Sequence, residues 1–301
     1  MSQGQFLASF DIEDWFHNSN VQPSLPTTDW SRLEPRVERN TYELLDILAD
    51  TGARSTFFVL GWVARRYPAL VRRIIAGGHE VASHTDGHRL LYRLSPDDLT
   101  QDLARARDAL EQVTGAPVRG IRAPCFSISD VVLRCLATAG YWYDSSLFPF
   151  RAHHRYGRIR GVADPDQAVL EIAPGLLELP MSRVRIGPVS VPWAGGAYFR
   201  LMPYEVFRWG VVRRLEARSW FMFYFHPWEL DAEEIPPPGM PPLRKLRAYG
   251  QRSRMRRDLR RLLAEFGSAR IDGALRARGY RPPGETGLPA AAPPLHLAST
   301  I

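Results

Sequence analysis

The sequence has little that could form disulfides or cross a membrane. It contains two cysteines, Cys125 and Cys135, and their spacing matches neither a Cys-x-x-C motif nor a structural zinc site. No run of about 18 apolar residues is present, which argues against a transmembrane helix. The first residues lack a basic segment followed by an apolar one, so we expect no signal peptide. These absences predict a cytoplasmic protein with reduced thiols.

Lysine is almost absent as well. Lys245 is the only lysine, so arginine carries nearly all of the positive charge. The formal net charge is +7 at pH 7, which is compatible with an anionic polymer or a membrane surface as a partner. A solvated basic surface accounts for the same excess, and we prefer that interpretation.

Strand-like and helix-like segments alternate along the first half of the chain. Residues 5–10 alternate with a period of two, which predicts a strand. Residues 36–51 carry apolar side chains at helical spacing and are followed by Gly52. Further strands are predicted at 55–60, 80–83, 118–121 and 141–144, and further helices at 61–76, 95–114 and 129–139. The repeated alternation predicts an α/β protein with a parallel sheet or barrel.

The second half of the chain is less regular. Residues 146–200 are rich in proline and glycine, and we expect an irregular cap or hairpins there. A helix at 203–218 precedes a very apolar strand at 219–225, which predicts a central position for that strand. An arginine-rich amphipathic helix is predicted at 252–266. Residues from 281 onward are expected to be disordered.

Polar side chains follow five of the predicted strands. In a parallel sheet or barrel, functional groups collect at the carboxyl ends of the strands. We therefore expect these side chains to converge on one rim. They are Asp11, Glu13 and Asp14 after the first strand, then His84 and His88, Arg122, Asp144 and His226.

The segment His84-Thr85-Asp86-Gly87-His88 is the most informative of these groups. Two imidazoles four residues apart can point the same way from a helical turn or a tight loop. With a carboxylate from a neighbouring strand end, they form the ligand set of a catalytic zinc, which keeps a position for water. The acids after the first strand are therefore assigned metal-binding and base roles. His226 has a reference pKa near neutrality, which suits a general acid.

Four motifs resemble those of the NodB-type polysaccharide deacetylases, carbohydrate esterase family 4. They are Ser9-Phe10-Asp11-Ile12-Glu13-Asp14-Trp15, His84-Thr85-Asp86-Gly87-His88, Arg122-Ala123-Pro124 and Phe225-His226-Pro227-Trp228. The forms Asp-x-Glu-Asp-Trp and His-Pro-Trp-Glu are most similar to the subgroup linked to exosortase and PEP-CTERM exopolysaccharide clusters. The resemblance covers roughly residues 5–280.

This resemblance implies a distorted (β/α) barrel that binds one divalent metal, usually zinc. It implies a catalytic domain at 5–228 and a C-terminal helical extension at 229–280 that packs on the barrel. Residues 281–301 would form a disordered tail. His84 and His88 would bind the metal together with either Glu13 or Asp14, and the sequence leaves both acids open.

The resemblance also implies catalytic roles for the other motif residues. Asp11 would be the general base, oriented by Arg122. The backbone N–H of Cys125 would help to hold the oxyanion, and Trp228 would lie at the substrate. His226 would be the general acid that protonates the leaving amine.

The implied reaction removes N-acetyl groups from amino sugars of an exopolysaccharide or its precursor and releases acetate. The enzyme would associate loosely, if at all, with the membrane machinery of polysaccharide synthesis, and no nucleic acid partner is expected.

Two other functions fit part of the sequence. One is a small-molecule C–N hydrolase, allantoinase-like, on the same scaffold. The aromatic residues expected near the rim favour a sugar-stacking groove instead; they are Trp15, Trp193, Tyr198 and Trp228. The other is a basic binding protein that uses the arginine-rich helix, but this leaves the strand-end residues unexplained.

Overall fold

The sheet that carries the site has eight strands, and a separate hairpin holds two more within the described residues. The computed structural model describes residues 4–25, 29–148, 156–160, 167–217 and 219–285. The strands are β1 (Gln5–Ile12), β2 (Thr56–Val59), β3 (Glu80–Ser83), β4 (Gly120–Ile121), β5 (Tyr143–Asp144), β6 (Leu170–Ala173), β7 (Leu176–Glu178), β8 (Arg183–Ile186), β9 (Val189–Pro192) and β10 (Trp220–Phe225). The α-helices are α1 (Val37–Thr51), α2 (Gly61–Arg66), α3 (Pro68–Ala76), α4 (Pro96–Thr114), α5 (Asp130–Thr138), α6 (Gly196–Leu201), α7 (Tyr204–Glu216), α8 (Pro242–Tyr249), α9 (Arg252–Phe266) and α10 (Ile271–Ala277).

The strand order in the large sheet is β10-β1-β2-β3-β4-β5-β7-β6. Its pairs are parallel except for β6 with β7. The sheet curls into a half-barrel, so that side chains from well-separated strands, including Leu7, Phe58, Tyr143 and Leu177, meet in one inner core. The predicted α/β fold with a distorted barrel is confirmed.

Alternation along β1 decides which side chains face the inside of the half-barrel. Ala8 and Phe10 belong to the outer core under the helices, whereas Leu7 belongs to the inner core. Because successive side chains of a strand point to opposite faces, Asp11 shares the inner face with Leu7. Glu13 is the first residue after β1, and its N–H donates to the carbonyl of Asp11 at 3.1 Å.

Strand β10 repeats this pattern beside β1. Phe221 and Phe223 lie in the outer core, and Met222 and Tyr224 lie in the inner core. The same alternation turns His226, one residue past the strand, toward the inside. The parallel pairing of β10 with β1 then brings the ends of these two strands together.

Residues near the C-terminus close the opposite end of the half-barrel. The Ser268 hydroxyl accepts a hydrogen bond from the N–H of Ala8, and the Thr56 hydroxyl accepts one from the N–H of Ile271, both at 2.9 Å. Ile271 and Leu275 of α10 add apolar side chains to the inner core. At the carboxyl ends of the strands, a cavity is lined by Asp11, Glu13, His84 and His226.

The arginine-rich helix α9 has ionic partners on neighbouring helices. Arg256 pairs with Glu43 of α1, and Arg261 pairs with Glu205 of α7 at 2.6 Å. Exposed pairs of this kind contribute little to stability. They do reduce the charge left for an anionic partner, which weakens the case for a basic binding protein.

The described part of the segment 146–200 contains hairpins, one of the two predicted alternatives. Strands β6 and β7 pair antiparallel and extend the large sheet, and β8 pairs with β9 in a second hairpin. Helix α6 has no counterpart among the predicted helices, whereas α8 and α10 lie within the helical extension expected at 229–280. The three helices have only six to eight residues each, and helices this short depend on tertiary packing.

The last described residues, 281–285, form a turn in which the N–H of Glu285 donates to the carbonyl of Pro282 at 3.1 Å. The rest of the predicted tail, 286–301, lies outside the described residues. Among the residues that the structure describes, no helix combines the length and apolar character needed to cross a membrane.

Candidate active site

The centre of the candidate site is a cluster of one carboxylate and two imidazoles. Glu13 Oε2 lies 2.6 Å from Nε2 of His88 and 4.0 Å from Nε2 of His84. All three side chains are nearly inaccessible to solvent. One ligand atom from each residue lies within 4.8 Å of the other two, which is the spacing of a possible metal site.

The loop at 84–88, which carries both histidines, turns their rings toward Glu13. The backbone of His88 takes a left-handed conformation, with a φ of 52°, and Thr85 does the same, with a φ of 69°. His84 Nδ1 donates to the carbonyl oxygen of Arg122 at 2.8 Å, which leaves Nε2 as the nitrogen that faces Glu13. Metal-binding histidines commonly have their second nitrogen held in this way.

The charges of these groups suit a cation. Burial lowers the pKa of His84 to about 4, so its imidazole is neutral, as a ligand must be. For Glu13, burial acts to raise the pKa, but the neighbouring His88, His226 and His84 lower it well below its usual range. The carboxylate therefore stays ionised.

A divalent metal fits this donor set. The buried Oε2 of Glu13 faces His88 Nε2 at 2.6 Å and His84 Nε2 at 4.0 Å, and a buried carboxylate is costly unless a positive charge lies beside it. Two imidazole nitrogens and one carboxylate oxygen are the ligands of several catalytic zinc sites, with one position kept for water. Glu13, His84 and His88 would hold the metal together.

Asp14 does not join this cluster. Its carboxylate accepts hydrogen bonds from the backbone N–H groups of Trp15, Arg36 and Val37 at 2.9–3.1 Å. Asp14 thus caps the short 3-10 helix at 15–17 and meets the first N–H groups of α1. Of the two acids that the sequence leaves open as the third ligand, Glu13 lies with His84 and His88, whereas the carboxylate of Asp14 accepts from backbone N–H groups.

Replacement of Asp14 by alanine should therefore lower stability without removing the metal. The variant loses a buried cap and leaves backbone N–H groups unsatisfied, so we expect the free energy of unfolding to fall by about 1–3 kcal/mol. Denaturant unfolding measures this loss, and elemental analysis measures the metal. A variant that is as stable as the parent but free of metal would show that Asp14 is a ligand.

Asp11 and Arg122 form a buried ion pair beside the cluster. Arg122 Nη1 donates to Asp11 Oδ1 at 2.8 Å, and its Nε donates to the carbonyl of Ser145 at 3.0 Å. The guanidinium lies 4.1 Å over the ring of Phe58. Held from three sides, Arg122 fixes one oxygen of Asp11 and leaves the other, Oδ2, facing His226 at 3.9 Å.

His226 reaches the cluster from the end of β10. Its Nε2 lies 3.5 Å from Glu13 Oε1, and its Nδ1 donates to Glu229 Oε1 at 3.0 Å. Burial alone would lower the pKa of His226, but Glu13, Glu229 and Asp11 raise it to about 9. A cation bound by Glu13 would oppose the part of this increase that Glu13 causes. The imidazole is thus placed and charged to donate a proton.

Trp228 and Cys125 both line the cavity, but Trp228 has contacts other than the predicted ones. Its indole N–H donates to Glu13 Oε1 at 3.2 Å, and its ring stacks on His226 with centroids 4.6 Å apart. Only 5% of Trp228 is exposed, so it supports these two residues rather than offering a face to a sugar. Cys125 has a left-handed backbone, with a φ of 52°.

Of the four aromatic residues expected at the rim, Trp228 lines the cavity, whereas Trp15, Trp193 and Tyr198 do not. Trp193 is buried, and its indole N–H donates to the carbonyl of Phe207 at 3.0 Å. The indole N–H of Trp15 donates to the carbonyl of Glu34 at 2.9 Å. Tyr198 packs against the inner core. These three residues therefore do not form a sugar-stacking surface at the cavity.

Asp144 ends β5 but points away from the cluster. It is paired in register with Glu178 of β7, and both side chains are fully buried. Burial raises the pKa of both acids, with Asp144 at about 6, and the nearby charge of Asp144 raises that of Glu178 further. The Ser146 hydroxyl also donates to Asp144. The expected convergence of five strand ends therefore holds for four of them.

Sequence reasoning missed three residues of the site. His17 is buried, with its ring 5.7 Å from that of His88, and its Nδ1 accepts from the N–H of Asp14 at 2.9 Å. Arg200 and Glu229 form a buried ion pair that lines the same cavity. Glu229 stands three positions after His226, a spacing that could have suggested their contact. Nothing in the sequence pairs Arg200 with Glu229.

Comparison with known families divides the chain in two. Residues 29–143 match the family described as polysaccharide deacetylase, and residues 145–276 match one described as a domain of unknown function (DUF3473). The first segment supplies His84, His88 and Arg122, and the second supplies His226. The two segments therefore build one site, together with the end of β1.

Curated relatives match about a third of the chain. A chitooligosaccharide deacetylase from Sinorhizobium fredii is 43% identical over 101 residues, which are 33% of this chain and 47% of the relative. A peptidoglycan-N-acetylglucosamine deacetylase from Bacillus cereus is 32% identical over 101 residues, 34% of this chain and 47% of the relative. The chain thus spans about half the length of these relatives.

A solved structure matches nearly the whole chain. It is the crystal structure of a Mycobacterium smegmatis protein assigned as a polysaccharide deacetylase. The two are 21% identical with a TM-score of 0.61, over 96% of this chain and 95% of the other. At this identity the similarity shows a common fold and nothing about the reaction.

Proposed function

Because this chain contains a polysaccharide deacetylase domain followed by a DUF3473 segment, we propose that it hydrolyses N-acetyl groups of amino sugars in an oligosaccharide or polysaccharide. One observation carries the proposal. His226 Nε2 lies 3.5 Å from Oε1 of Glu13, a member of the cluster with His84 and His88, and 3.9 Å from Oδ2 of Asp11, so one imidazole faces both the cluster and a free carboxylate oxygen. Amide hydrolysis needs a base for water, an acid for the amine and a group that polarises the carbonyl.

We propose that Glu13, His84 and His88 hold one divalent metal and that this metal is zinc. The nitrogen-rich donor set favours zinc over magnesium or calcium, which prefer oxygen ligands. When bound, such a metal acts as a Lewis acid on the acetamide carbonyl and lowers the pKa of coordinated water. Trp228 donates to the second oxygen of Glu13 and so orients the carboxylate.

Asp11 is the proposed general base. Arg122 binds one of its oxygens, which aims the other toward the space between the cluster and His226. There Asp11 accepts the proton of the attacking water. Arg122 also keeps a positive charge next to the carboxylate while it takes up this proton and later releases it.

The tetrahedral intermediate carries a negative oxygen, and the backbone N–H of Cys125 is the proposed donor to it. A donor of this type contributes about 3 kcal/mol to transition-state stabilisation. His226 then delivers a proton from Nε2 to the leaving nitrogen. The C–N bond breaks, and the products are acetate and a free amino sugar.

We also propose a subgroup for this chain and a class of substrate. The Asp11-Ile12-Glu13-Asp14-Trp15 and His226-Pro227-Trp228-Glu229 forms support a place in the exosortase and PEP-CTERM subgroup, so an exopolysaccharide or its precursor is the proposed substrate. Residues 5–228 are the proposed catalytic domain and residues 229–280 its extension. Any association with membrane polysaccharide synthesis is proposed to be loose.

Acetate release from N-acetylhexosamine oligomers of increasing length tests the function. The assay is run on metal-free protein and on protein reconstituted with zinc, cobalt or manganese. We expect release that depends on the metal and increases with oligomer length. Activity on allantoin or simple amides, without activity on any oligomer, would instead support the small-molecule C–N hydrolase.

His226→Ala is expected to affect amides more than reactive esters. An amine leaves poorly unless it is protonated, whereas an aryl oxide leaves without help. We expect N-deacetylation to fall by about 10²–10⁴-fold and aryl acetate cleavage to fall much less. Initial rates on both substrates measure the difference, and elemental analysis checks that the metal is kept.

Equal losses on both substrates, or loss of metal, would contradict the acid assignment. Tyr156→Phe provides the matched control. Tyr156 lines the same cavity, and the proposed mechanism gives it no role. Its effect, if any, should be similar on amide and ester.

A further inference from the structure

The carboxylate of Glu229 connects His226 to an arginine of α6. Glu229 Oε1 accepts from the backbone N–H of His226 at 3.2 Å and from its Nδ1 at 3.0 Å. Glu229 Oε2 accepts from Arg200 Nε at 2.7 Å. Both Arg200 and Glu229 are only 2% exposed. One oxygen of Glu229 therefore binds His226, and the other binds Arg200.

This arrangement fixes the tautomer of His226. A carboxylate only accepts hydrogen bonds, so Nδ1 of His226 carries a proton in either charge state. Nε2 is then the nitrogen that gains and loses the proton, and Nε2 faces Asp11 and Glu13. Nearby positive charge keeps Glu229 ionised, so that both of its oxygens can accept hydrogen bonds. Burial would raise the pKa of Glu229, but Arg200 and His226 lower it to about 2.

Arg200 is itself held by the end of α8. Its Nη1 donates to the carbonyl of Gly250, and its Nη2 donates to the carbonyl of Arg247 at 2.9 Å. Its Nε is the atom that remains for Glu229. A lysine could not make these contacts together, because it has a single nitrogen in place of the planar fork of arginine.

Gly196, at the start of α6, makes close approach to Glu229 possible. A Cβ at this position would lie 2.5 Å from Glu229 Oε1 and 2.6 Å from both Glu229 Oε2 and the Cβ of Phe225. These distances are well inside van der Waals contact. The glycine therefore lets the carboxylate sit directly against the helix, where Arg200 reaches it.

We propose that Arg200 and Gly196 are positioning residues that act through Glu229 to aim Nε2 of His226 at the leaving nitrogen. This inference rests on the proposed function, in which His226 is the general acid. It gives α6 and α8 of the DUF3473 segment a role in catalysis: they hold the acid in place. Arg200 and Gly196 contact Glu229, and Glu229 in turn contacts His226.

The test compares amide and aryl ester hydrolysis in three variants. Arg200→Lys keeps a positive charge but loses the fork, Arg200→Met removes the charge, and Gly196→Ala displaces Glu229 while both charges remain. We expect each to slow N-deacetylation by about 10–100-fold and to change aryl acetate cleavage by less than about threefold. Phe199→Leu is the matched control, because Phe199 packs in the outer core from the same helix. It should show no substrate selectivity.

The outcomes separate this inference from the proposed function. His226→Ala is measured beside the variants, and metal content and thermal unfolding are checked for all. If His226→Ala is selective for amides but Gly196→Ala and Arg200→Lys slow both substrates equally, the positioning role is wrong and the function stands. Selective loss in Phe199→Leu would also overturn it, since a general loosening of α6 would then suffice. If His226→Ala itself is not selective, both the acid assignment and this inference fail.

Discussion

Replacement of His84 by alanine is expected to remove the metal and to reduce acetate release to background. The variant keeps only Glu13 and His88 of the cluster, and catalytic zinc sites use three protein ligands. The Nδ1 of His84 donates to the Arg122 carbonyl at 2.8 Å, which holds the ring with Nε2 toward the cluster. Elemental analysis gives metal per chain, and the oligomer assay gives activity.

His79→Ala is the matched control for this loss. His79 directly precedes β3, the strand whose far end leads to His84, and its ring packs against Phe57 at 5.1 Å. The variant loses a buried imidazole at the end of the half-barrel opposite the cluster. Its free energy of unfolding should therefore fall, while metal content and activity remain. Full metal occupancy in His84→Ala, or metal loss in His79→Ala, would contradict the assignment of the cluster.

The parallel strands could be predicted from local sequence patterns, and the distorted barrel from the resemblance of the motifs. Alternation along residues 5–10 and the apolar run at 219–225 indicate two strands, and in the structure these pair directly as β1 and β10. The pleat of these two strands places Asp11 and His226 on the inner face. The rule that functional groups follow parallel strands then brings them to one rim.

The choice between Glu13 and Asp14 could not be made in this way. Both follow the same strand, and what separates them is the path of the chain more than 20 residues later. The N–H groups of Arg36 and Val37, at the start of α1, occupy the carboxylate of Asp14. Only the tertiary fold shows that this acid is already used.

Asp144 shows where the strand-end rule fails. The segment after β5 is predicted to form an irregular cap or hairpins, which does not say that β7 pairs with β5 and places Glu178 beside Asp144. The resulting pair of buried acids satisfies part of its hydrogen bonding with Ser146. A polar residue at a strand end is therefore a site residue only when the neighbouring strand leaves it exposed to the cavity.

Replacement of Asp11 by asparagine is expected to keep the metal and to lose catalysis. Asparagine has nearly the same shape, so its carbonyl oxygen can still accept from Arg122, but an amide cannot take a proton from water. We expect acetate release to fall by about 10²–10⁴-fold, the usual contribution of a general base. Metal content should match the parent, since Glu13, His84 and His88 are intact.

The variant also tests whether the buried guanidinium tolerates the loss of its partner. Arg122 is fully buried, and removing the charge of Asp11 leaves it uncompensated, so stability should fall. Denaturant unfolding separates this effect from chemistry, because rates are compared only under conditions in which the variant is folded. Asp14→Asn serves as the control: it alters a neighbouring buried acid that caps backbone N–H groups, so it should lose stability and keep most of its rate. Near-normal acetate release by folded, metal-loaded Asp11→Asn would show that a different carboxylate accepts the proton, and Glu13 and Glu229 would be the next acids to replace.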